Sequence, residues 1–309
     1  MRKIRTYHEA ESDVGSDVLQ QVLSQRRRLS ERLASVRTIV AVASGKGGVG
    51  KSVVVANLAV ALAGRGRTVG VVDADLNGPS SARNLGVSDR ALIDTEEGIR
   101  PATGVAGVKV FSMEFLQGAD DAPLRWKEPD GGGFVWQSSL ETGALREFLS
   151  DVAWGELDYL LIDLPPGVDK LQRVLGLLPD LDQVLLVTIP SDSVRHVTSR
   201  AVRLVRESDV GRMGIVANMT EHVCPDCGHR SQPFGSGWTV QAHLESESDL
   251  WGKIPFHPRF GTGGDHESPL VVREPGCTAA KALQELADRV EAARAVAETE
   301  NAGEPEDPS

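Results

Sequence analysis

The sequence lacks the features that mark membrane, secreted and general nucleic-acid-binding proteins. No apolar run approaches the roughly 18 residues that a transmembrane helix needs, and the polar start, MRKIRTYHEAESD, has no apolar signal-peptide core. Only three cysteines occur among 309 residues, too few for a disulfide scaffold. The 33 basic residues are outnumbered by 44 acidic ones, which argues against a general nucleic-acid binder. We therefore expect a cytoplasmic protein with no membrane and no nucleic-acid partner.

The chain is predicted to form one large α/β domain between two polar ends. Residues 1–36 form a polar segment followed by a helical pattern, expected to dock on the core or on a partner chain. Residues 37–297 alternate β-branched runs with helical patterns, which predicts a doubly wound, mostly parallel sheet with helices on both faces. The acidic residues 298–309 are predicted to be a disordered tail.

Seven strands and five further helices are expected within the domain. The strand patterns cover 37–43, 68–73, 107–113, 157–163, 182–189, 212–218 and a short run near 252–256. The helical patterns cover 51–64, 138–151, 191–207, 236–247 and 276–297. Residues 114–137, rich in Gly, Asp and Pro, are predicted to be a long surface excursion.

The most informative motif is a phosphate-binding loop between the first predicted strand and the helix after it. Closely spaced glycines let backbone N–H groups surround phosphates, while Lys51 reaches the β- and γ-phosphates and the Ser52 hydroxyl coordinates Mg²⁺. A helix N-terminus after a strand is the arrangement that this chemistry needs. The loop consists of Gly45, Lys46, Gly47, Gly48, Val49, Gly50, Lys51 and Ser52.

Acidic residues at two other strand ends complete the predicted nucleotide site. Asp73 and Asp75 follow one apolar run with the i, i+2 spacing that places both side chains on one face of extended backbone. Asp163 ends another and is followed by Pro-Pro-Gly, where the N–H of Gly167 can approach a γ-phosphate. We assign Asp163 to the Mg²⁺ water shell, Asp75 to the attacking water, and Asp73 to Mg²⁺ or a supporting role.

Lys46 stands near the start of the loop, where Lys51 already serves the phosphates of the same chain. It is predicted to reach the phosphates of a second subunit, as an arginine finger does in other nucleotide hydrolases. The alternative is a solvated surface lysine. The first interpretation requires a homodimer.

The segment Cys224-Pro225-Asp226-Cys227 has the two-residue spacing that lets two thiolates converge on one metal. It supplies only two of four ligands, and Cys277 is predicted to be a buried small hydrophobe rather than a third. Three alternatives remain: a zinc knuckle that adds His222 and His229, a redox pair, and a four-cysteine site shared by two chains. The shared site suits iron–sulfur or zinc and again requires a homodimer.

Four segments together make the chain resemble the Mrp-type iron–sulfur carrier ATPases of the deviant Walker A class. They are GKGGVGKS, DADLNGPS, LDYLLIDLPPG and ANMTEHVCPDCGHRSQPFG, and the resemblance covers residues 37–290. It implies a P-loop NTPase fold of the SIMIBI type, ATP bound at 45–52 with Lys46 as signature lysine, and adenine contacted by Asn218. It also implies slow ATP hydrolysis and a four-iron four-sulfur cluster bridging two subunits through Cys224 and Cys227, for transfer to apo-proteins.

The chain departs from the Mrp pattern at three places. Val168-Asp169-Lys170 stands where the family has Thr-Gly-Asp, which affects the expected sensing of the γ-phosphate. The family's Trp-Arg-Gly-Pro element appears as Trp126-Lys127-Glu128-Pro129. Where many members carry a small N-terminal domain, this sequence has the helical pattern of residues 16–36, so a partner contact made by that domain is expected to be absent or replaced.

Two other functional classes share parts of this pattern. A spatial regulator of the MinD and ParA type would use the same ATP loop, with a structural zinc or redox role for the cysteines. Its membrane version needs a basic amphipathic C-terminal helix, whereas the apolar positions of the last predicted helix are followed by acids and are expected to pack on the core. An electron donor like the nitrogenase iron protein also bridges a cluster between subunits, but its cysteines lie far apart in sequence.

Overall fold

The structure is a computed structural model that describes residues 17–75, 78–89, 91–116, 134–179, 181–224, 227–234, 250–260 and 268–301. Several expectations fall outside these ranges: the segment 1–16, most of the excursion at 114–137 including Trp126–Pro129, the helix at 236–247, and most of the tail.

The described residues form a doubly wound α/β fold, as expected. The helices are α1 (Asp17–Leu33), α2 (Lys51–Ala63), α3 (Ser81–Asn84), α4 (Phe134–Asp151), α5 (Val168–Leu177), α6 (Asp192–Arg206), α7 (Leu270–Arg273) and α8 (Thr278–Asn301). The strands are β1 (Ile39–Ala43), β2 (Val69–Asp73), β3 (Ile93–Thr95), β4 (Gly98–Arg100), β5 (Ala102–Thr103), β6 (Lys109–Ser112), β7 (Tyr159–Asp163), β8 (Gln183–Thr188), β9 (Arg212–Asn218), β10 (His222–Val223), β11 (Arg230–Ser231) and β12 (Leu250–Ile254).

Eight of the described strands make one sheet in the order β12-β9-β8-β1-β7-β2-β6-β5. Every neighbouring pair is parallel except β5 with β6. Parallel strands require crossover connections, and the helices supply them on both faces. The carboxyl ends of β1, β7 and β2 therefore lie side by side, which brings residues distant in sequence to one edge.

Alternate residues along the central strands pack against different helices. On one face Ala41, Ile162 and Leu186 join a buried cluster that includes side chains from α1, α4, α5 and α6. On the other, Val42 and Leu161 join a cluster with α2 and α8. Burial on both faces explains why these strands are continuous apolar runs in the sequence.

The two terminal helices both pack on the domain. Leu29 and Leu33 of α1 are buried, and the Arg32 guanidinium donates to the carbonyls of Ser150 (3.0 Å) and Glu97 (2.7 Å). The apolar positions of α8 are fully buried, as expected, so they do not form a membrane-binding face: Leu283, Leu286, Ala287 and Val290. Within the described ranges, no helix has the length and apolar character needed to cross a membrane.

Several helix predictions need correction. Helix α8 continues to Asn301, four residues past the predicted end and into the predicted tail, and the short helices α3 and α7 were not expected. Helix α4 begins at Phe134, four residues before the predicted start and inside the predicted excursion. Helix α5 was not expected, because residues 168–170 were considered only as a change of motif. They form its first turn, and the helix buries Leu171 and Val174 against the core.

Candidate functional site

The phosphate loop, residues 45–52, connects β1 to α2 as the sequence predicted. Gly48 and Gly50 adopt left-handed φ angles of 80° and 81°, a conformation that glycine takes without steric cost. Lys46 is exposed, Val49 is buried, and Ser52 is half-buried. The loop therefore has the backbone that phosphate binding requires, with Lys46 on the surface.

Lys51 and Asp163 form a buried ion pair at the start of α2. The Lys51 Nζ donates to Asp163 Oδ1 and lies 3.5 Å from the Ser52 hydroxyl. The two side chains are 7% and 0% exposed. Asp163 Oδ2 accepts a hydrogen bond of 2.7 Å from the Ser81 hydroxyl. The lysine and the carboxylate, distant in sequence, are thus brought together by the β1–β7 pairing.

Asp73 is directly beside Asp163, because these two residues are paired in register between β2 and β7. Its Oδ2 accepts from the backbone N–H groups of Ser80 and Ser81, both at 2.8 Å, and from the Ser112 hydroxyl at 3.3 Å. Its Oδ1 accepts from the N–H of Asp75 at 3.1 Å. With these bonds Asp73 holds the backbone of Asp75, and its assignment to Mg²⁺ or to a supporting role stays a prediction.

Burial, followed by the neighbouring Asp163 carboxylate, raises the pKa of Asp73 from 3.8 to about 7, against the opposing effect of its backbone hydrogen bonds. A raised carboxyl pKa means that the folded state binds the proton more tightly than the unfolded state. Asp73 therefore contributes a loss of stability that develops as the pH rises from about 4 to about 7.

We expect this loss to appear as a difference between the wild type and Asp73→Asn. The wild-type free energy of unfolding should fall relative to the variant's by on the order of a few kcal/mol across that pH window. Urea unfolding at a series of pH values measures it. Asp94→Asn, at an exposed aspartate outside the site, is the matched control for the chemical change itself. A flat difference between the wild type and Asp73→Asn would contradict the assignment.

Two residues that the sequence analysis did not select bind these carboxylates, and one of them, Ser81, connects the two. Ser81 donates its N–H to Asp73 and its hydroxyl to Asp163, and Ser112 pairs with Asp73 across β2 and β6. Both are fully buried. The sequence contains a weak signal for each. Ser112 is a polar residue at the end of a strand that lies beside a strand with an acidic end. Ser81 is the second serine after Pro79.

The turn after β7 closes on the phosphate loop. The N–H of Gly167 donates to the carbonyl of Ser44 at 2.9 Å, and Gly167 has a φ of 124° that a side chain would strain. Asp169, in the altered segment, accepts from Arg173 one turn along α5 at 3.4 Å. Gly167 thus bonds the residue that directly precedes the phosphate loop, while Asp169 lies in the first turn of a helix.

Asn218 fastens the end of β9 to the phosphate loop. Its side chain is 1% exposed, and Nδ2 donates to the Val49 carbonyl at 2.9 Å. A Cβ built on Gly50 would lie 2.4 Å from that Nδ2, so the contact depends on a glycine there. The next residue, Met219, has a φ of 55°, and its N–H donates to Asn218 Oδ1. Asn218 thus links the phosphate loop to the segment that follows β9.

Gly50→Ala is expected to destabilise the nucleotide-free protein by about 1–3 kcal/mol more than Gly48→Ala. Alanine has a similar backbone cost at the two φ angles, about 1–2 kcal/mol. Only at Gly50 would its Cβ displace the Asn218 amide and leave buried polar groups unpaired; at Gly48 it meets no described atom within 4 Å. Urea unfolding without nucleotide measures both variants. Equal losses would contradict the proposed packing.

The two predicted metal-ligating cysteines lie at the tip of the cysteine hairpin, residues 222–231, in which β10 and β11 are antiparallel. The Cys224 N–H donates to the His229 carbonyl and the Gly228 N–H to the Cys224 carbonyl, both at 2.9 Å. Neither cysteine forms a disulfide bond within the described residues; Cys224 is half-buried and Cys227 exposed. The described residues thus place both thiols between β10 and β11.

Edge strand β12 holds the base of this hairpin. The Thr220 N–H donates to the Ile254 carbonyl at 3.0 Å, and the Phe256 N–H donates to the Glu221 carbonyl at 2.7 Å. The His222 and Phe256 rings are 5.8 Å apart. In the described residues, the set His222, Cys224, Cys227 and His229 does not bring three or more ligand atoms within 4.8 Å of one another. This geometry does not support the zinc knuckle within one chain.

Known proteins match the chain over most of its length. Residues 35–291 match the ParA family model described as "NUBPL iron-transfer P-loop NTPase". A protein of Saccharolobus solfataricus named "Iron-sulfur cluster carrier protein" is 36% identical over 274 residues, covering 88% of this chain and 89% of that protein. A relative of the same name from Methanocaldococcus jannaschii is 33% identical, covering 89% of this chain and 91% of the relative.

One solved structure combines sequence and structural similarity. It is a nucleotide-binding protein from Archaeoglobus fulgidus, in complex with ADP and with cobalt found, 34% identical with a TM-score of 0.64, covering 76% of this chain and 88% of that one. The septum site-determining protein MinD of Pyrococcus horikoshii, complexed with Mg-ADP, has a TM-score of 0.57 over 84% of this chain and 98% of its own. At 22% identity the second comparison concerns the fold alone.

Proposed function

Since this chain belongs to the NUBPL iron-transfer P-loop NTPase family and is an ATPase, we propose that it carries an iron–sulfur cluster under the control of ATP. The cluster is the cargo, and apo iron–sulfur proteins are its acceptors. The observation that carries the proposal is the path from nucleotide to thiol. Asn218 bonds the phosphate loop, and six residues later Cys224 lies in the hairpin that presents both cysteines.

That path provides a mechanism by which nucleotide binding changes the position of the two cysteines. A change in the phosphate loop on nucleotide binding acts directly on Asn218 through the Val49 carbonyl, and Met219 starts the turn into the cysteine hairpin. Two backbone hydrogen bonds near its base anchor the hairpin to β12, which also pairs with Asn218, so Asn218, β12 and the hairpin would move together. ATP binding and hydrolysis would in this way alter the geometry of the two thiols.

The cysteine hairpin provides half of a cluster site. A four-iron four-sulfur cluster takes four thiolates, and the described arrangement gives two from each chain. Two chains related by a two-fold axis supply the full set, which makes the carrier a homodimer. Transfer is then ligand exchange, in which each iron–thiolate bond to Cys224 or Cys227 is replaced by a bond to a thiolate of the acceptor, without net oxidation or reduction.

The nucleotide site fits a triphosphate with Mg²⁺. The loop is open at Gly48, and hard oxygen ligands of the type that Mg²⁺ prefers stand at its edge on Ser52 and Asp163. When bound, Mg²⁺ neutralises charge between the β- and γ-phosphates. The Ser52 hydroxyl would hold it directly and Asp163 through water. Lys51 binds phosphate oxygens, and half-buried Asp75 is positioned by Asp73 to orient water.

Lys46 is the residue that would connect nucleotide to dimer, because it is exposed on the phosphate loop and accessible to a second chain. We expect Lys46→Ala to remain monomeric with ATP while the wild type becomes dimeric, as measured by sedimentation velocity. ATP binding by the variant monomer should stay within a few-fold of wild type, since Lys51 is intact. Lys281→Ala, at an exposed lysine of α8, is the control. An ATP-dependent dimer of Lys46→Ala would count against this role.

Anaerobic reconstitution with iron and sulfide tests the carrier function. The wild type is expected to bind a cluster and Cys224→Ala/Cys227→Ala to bind none. Equal iron binding by the two proteins would end the proposal. The alternative, a MinD-like or ParA-like regulator, would show ATP-dependent dimers that need neither cysteine.

A further inference from the structure

A second group of metal-ligating side chains lies between β12 and α8, outside the nucleotide site and the cysteine hairpin. His257, Glu274 and Cys277 each offer a ligand atom, and these atoms all lie within 4.8 Å of one another. All three residues are half-buried, so they are accessible to an ion and partly shielded from bulk water. We call them the His-Glu-Cys group.

Two separate pieces of backbone form the group. His257 follows β12, directly after the residue whose N–H bonds the Glu221 carbonyl. Glu274 ends α7, where its N–H donates to the Leu270 carbonyl at 2.8 Å, and the Cys277 N–H donates to the Glu274 carbonyl at 3.1 Å. A turn thus holds Glu274 and Cys277 side by side at the start of α8, facing His257.

The polar atoms of the group are incompletely satisfied. His257 Nδ1 is buried and has no hydrogen-bond partner among the described residues, although buried polar atoms in native proteins nearly always have one. His257 Nε2 lies 3.5 Å from Glu274 Oε2, and Glu274 Oε1 lies 2.7 Å from an Arg259 nitrogen without hydrogen-bond geometry. The Cys277 sulfur accepts from the Ala280 N–H at 3.3 Å, which orients it.

We propose that the His-Glu-Cys group binds a divalent transition-metal ion of the zinc class. One nitrogen, one oxygen and one sulfur ligand suit an ion of borderline softness and do not suit Mg²⁺ or Ca²⁺. Three protein ligands leave a fourth position for water. The site would join the residue after Phe256 to the turn that precedes α8, and the Phe256 N–H bonds the Glu221 carbonyl next to the cysteine hairpin. This inference does not depend on the proposed function.

Arg259 competes with a bound metal ion for the Glu274 carboxylate. Its guanidinium neutralises Glu274 but is 63% exposed, so it is free to turn toward solvent when a metal takes the carboxylate. Removing this positive charge should therefore strengthen metal binding. An exposed ion pair contributes up to about 1 kcal/mol, so Arg259→Gln should tighten the metal by about five-fold at most. A purely structural salt-bridge cluster would show no such gain.

The test uses the full-length chain with Cys224→Ala/Cys227→Ala, so that the cysteine hairpin contributes no thiolate. We expect calorimetry to find one Zn²⁺ per chain and Co²⁺ to give a thiolate-to-metal charge-transfer band. Adding Cys277→Ser should abolish the band and weaken Zn²⁺ by more than about 100-fold, since even the loss of second-shell partners costs about 10- to 100-fold. Adding Arg259→Gln instead should tighten Zn²⁺.

Either of two metal-binding results would overturn the proposal. One is no stoichiometric Zn²⁺ binding in the Cys224→Ala/Cys227→Ala protein, and the other is a Co²⁺ band that persists after Cys277→Ser. Alkylation provides a readout that does not depend on the folding of the Cys277→Ser protein. Zn²⁺ should protect Cys277, the remaining thiol of the Cys224→Ala/Cys227→Ala chain, from iodoacetamide. Equal alkylation with and without Zn²⁺ would also overturn it.

Discussion

Replacing Lys51 with alanine is expected to lower the rate of ATP hydrolysis by at least about 100-fold, the usual cost of removing one preorganised charge from a transition state. Lys51 begins α2 on the phosphate loop and is nearly buried, so its ammonium acts in a site where little water competes with it. Phosphate release measured with excess ATP and Mg²⁺ gives the rate. Lys281→Ala, at an exposed lysine of α8, should keep wild-type activity.

The same substitution should also destabilise the protein, and this loss of stability can be separated from the loss of ATP hydrolysis. Without Lys51 the Asp163 carboxylate is left buried with no cation, which typically costs about 3–5 kcal/mol. Lys51→Ala/Asp163→Asn removes both charges and keeps an oxygen for the Ser81 hydroxyl, so most of the stability should return. Hydrolysis should not return. Full ATPase activity in Lys51→Ala would contradict the assignment of the phosphate loop, whatever the stability.

The second large effect concerns the cysteine hairpin. Cys224→Ala and Cys227→Ala are each expected to abolish stable cluster binding, because each removes one thiolate per chain and therefore two of the four in a homodimer. Wild-type protein reconstituted anaerobically should hold about two iron and two sulfide ions per chain, consistent with one four-iron cluster per two chains. Iron and sulfide analysis after gel filtration measures both the content and the oligomer.

Cys277→Ala is the matched control for these cysteine variants. Cys277 is also a half-buried thiol, but it lies in the His-Glu-Cys group and not in the hairpin. The Cys277→Ala protein should bind the cluster at the wild-type level. A loss of cluster in Cys277→Ala equal to that in Cys224→Ala would show that the loss is not specific to the hairpin cysteines, and would contradict a site made by these cysteines alone.

Much of the nucleotide site was predictable because its signals are local. The phosphate loop is a contiguous motif, and Asp73 and Asp163 end apolar runs whose carboxyl ends must meet at one edge of a parallel sheet. The direct pairing of Asp73 with Asp163, and the bridge that Ser81 makes between them, depend on strand order. Strand order is a tertiary property, so neither could be deduced from the sequence.

The contact of Asn218 with Val49 shows the same limit. The family resemblance implied a contact with adenine, which stays a prediction, whereas the structure shows a bond to the phosphate loop. Cys277 was predicted to be a buried hydrophobe and is half-buried beside His257 and Glu274. These three side chains come together only when the segment after β12 meets the turn before α8 in the folded chain. Their spacing in sequence matches no recognisable metal motif.

The most direct test of the account is cluster transfer to an apo iron–sulfur protein whose activity returns when it receives a cluster. Wild-type protein, loaded anaerobically, should restore that activity, with a rate that changes when ATP and Mg²⁺ are added. Cys224→Ala/Cys227→Ala, treated identically and freed of unbound iron and sulfide, should restore none. Equal restoration by the wild type and this variant would contradict the central claim that the hairpin on β9 carries the cluster.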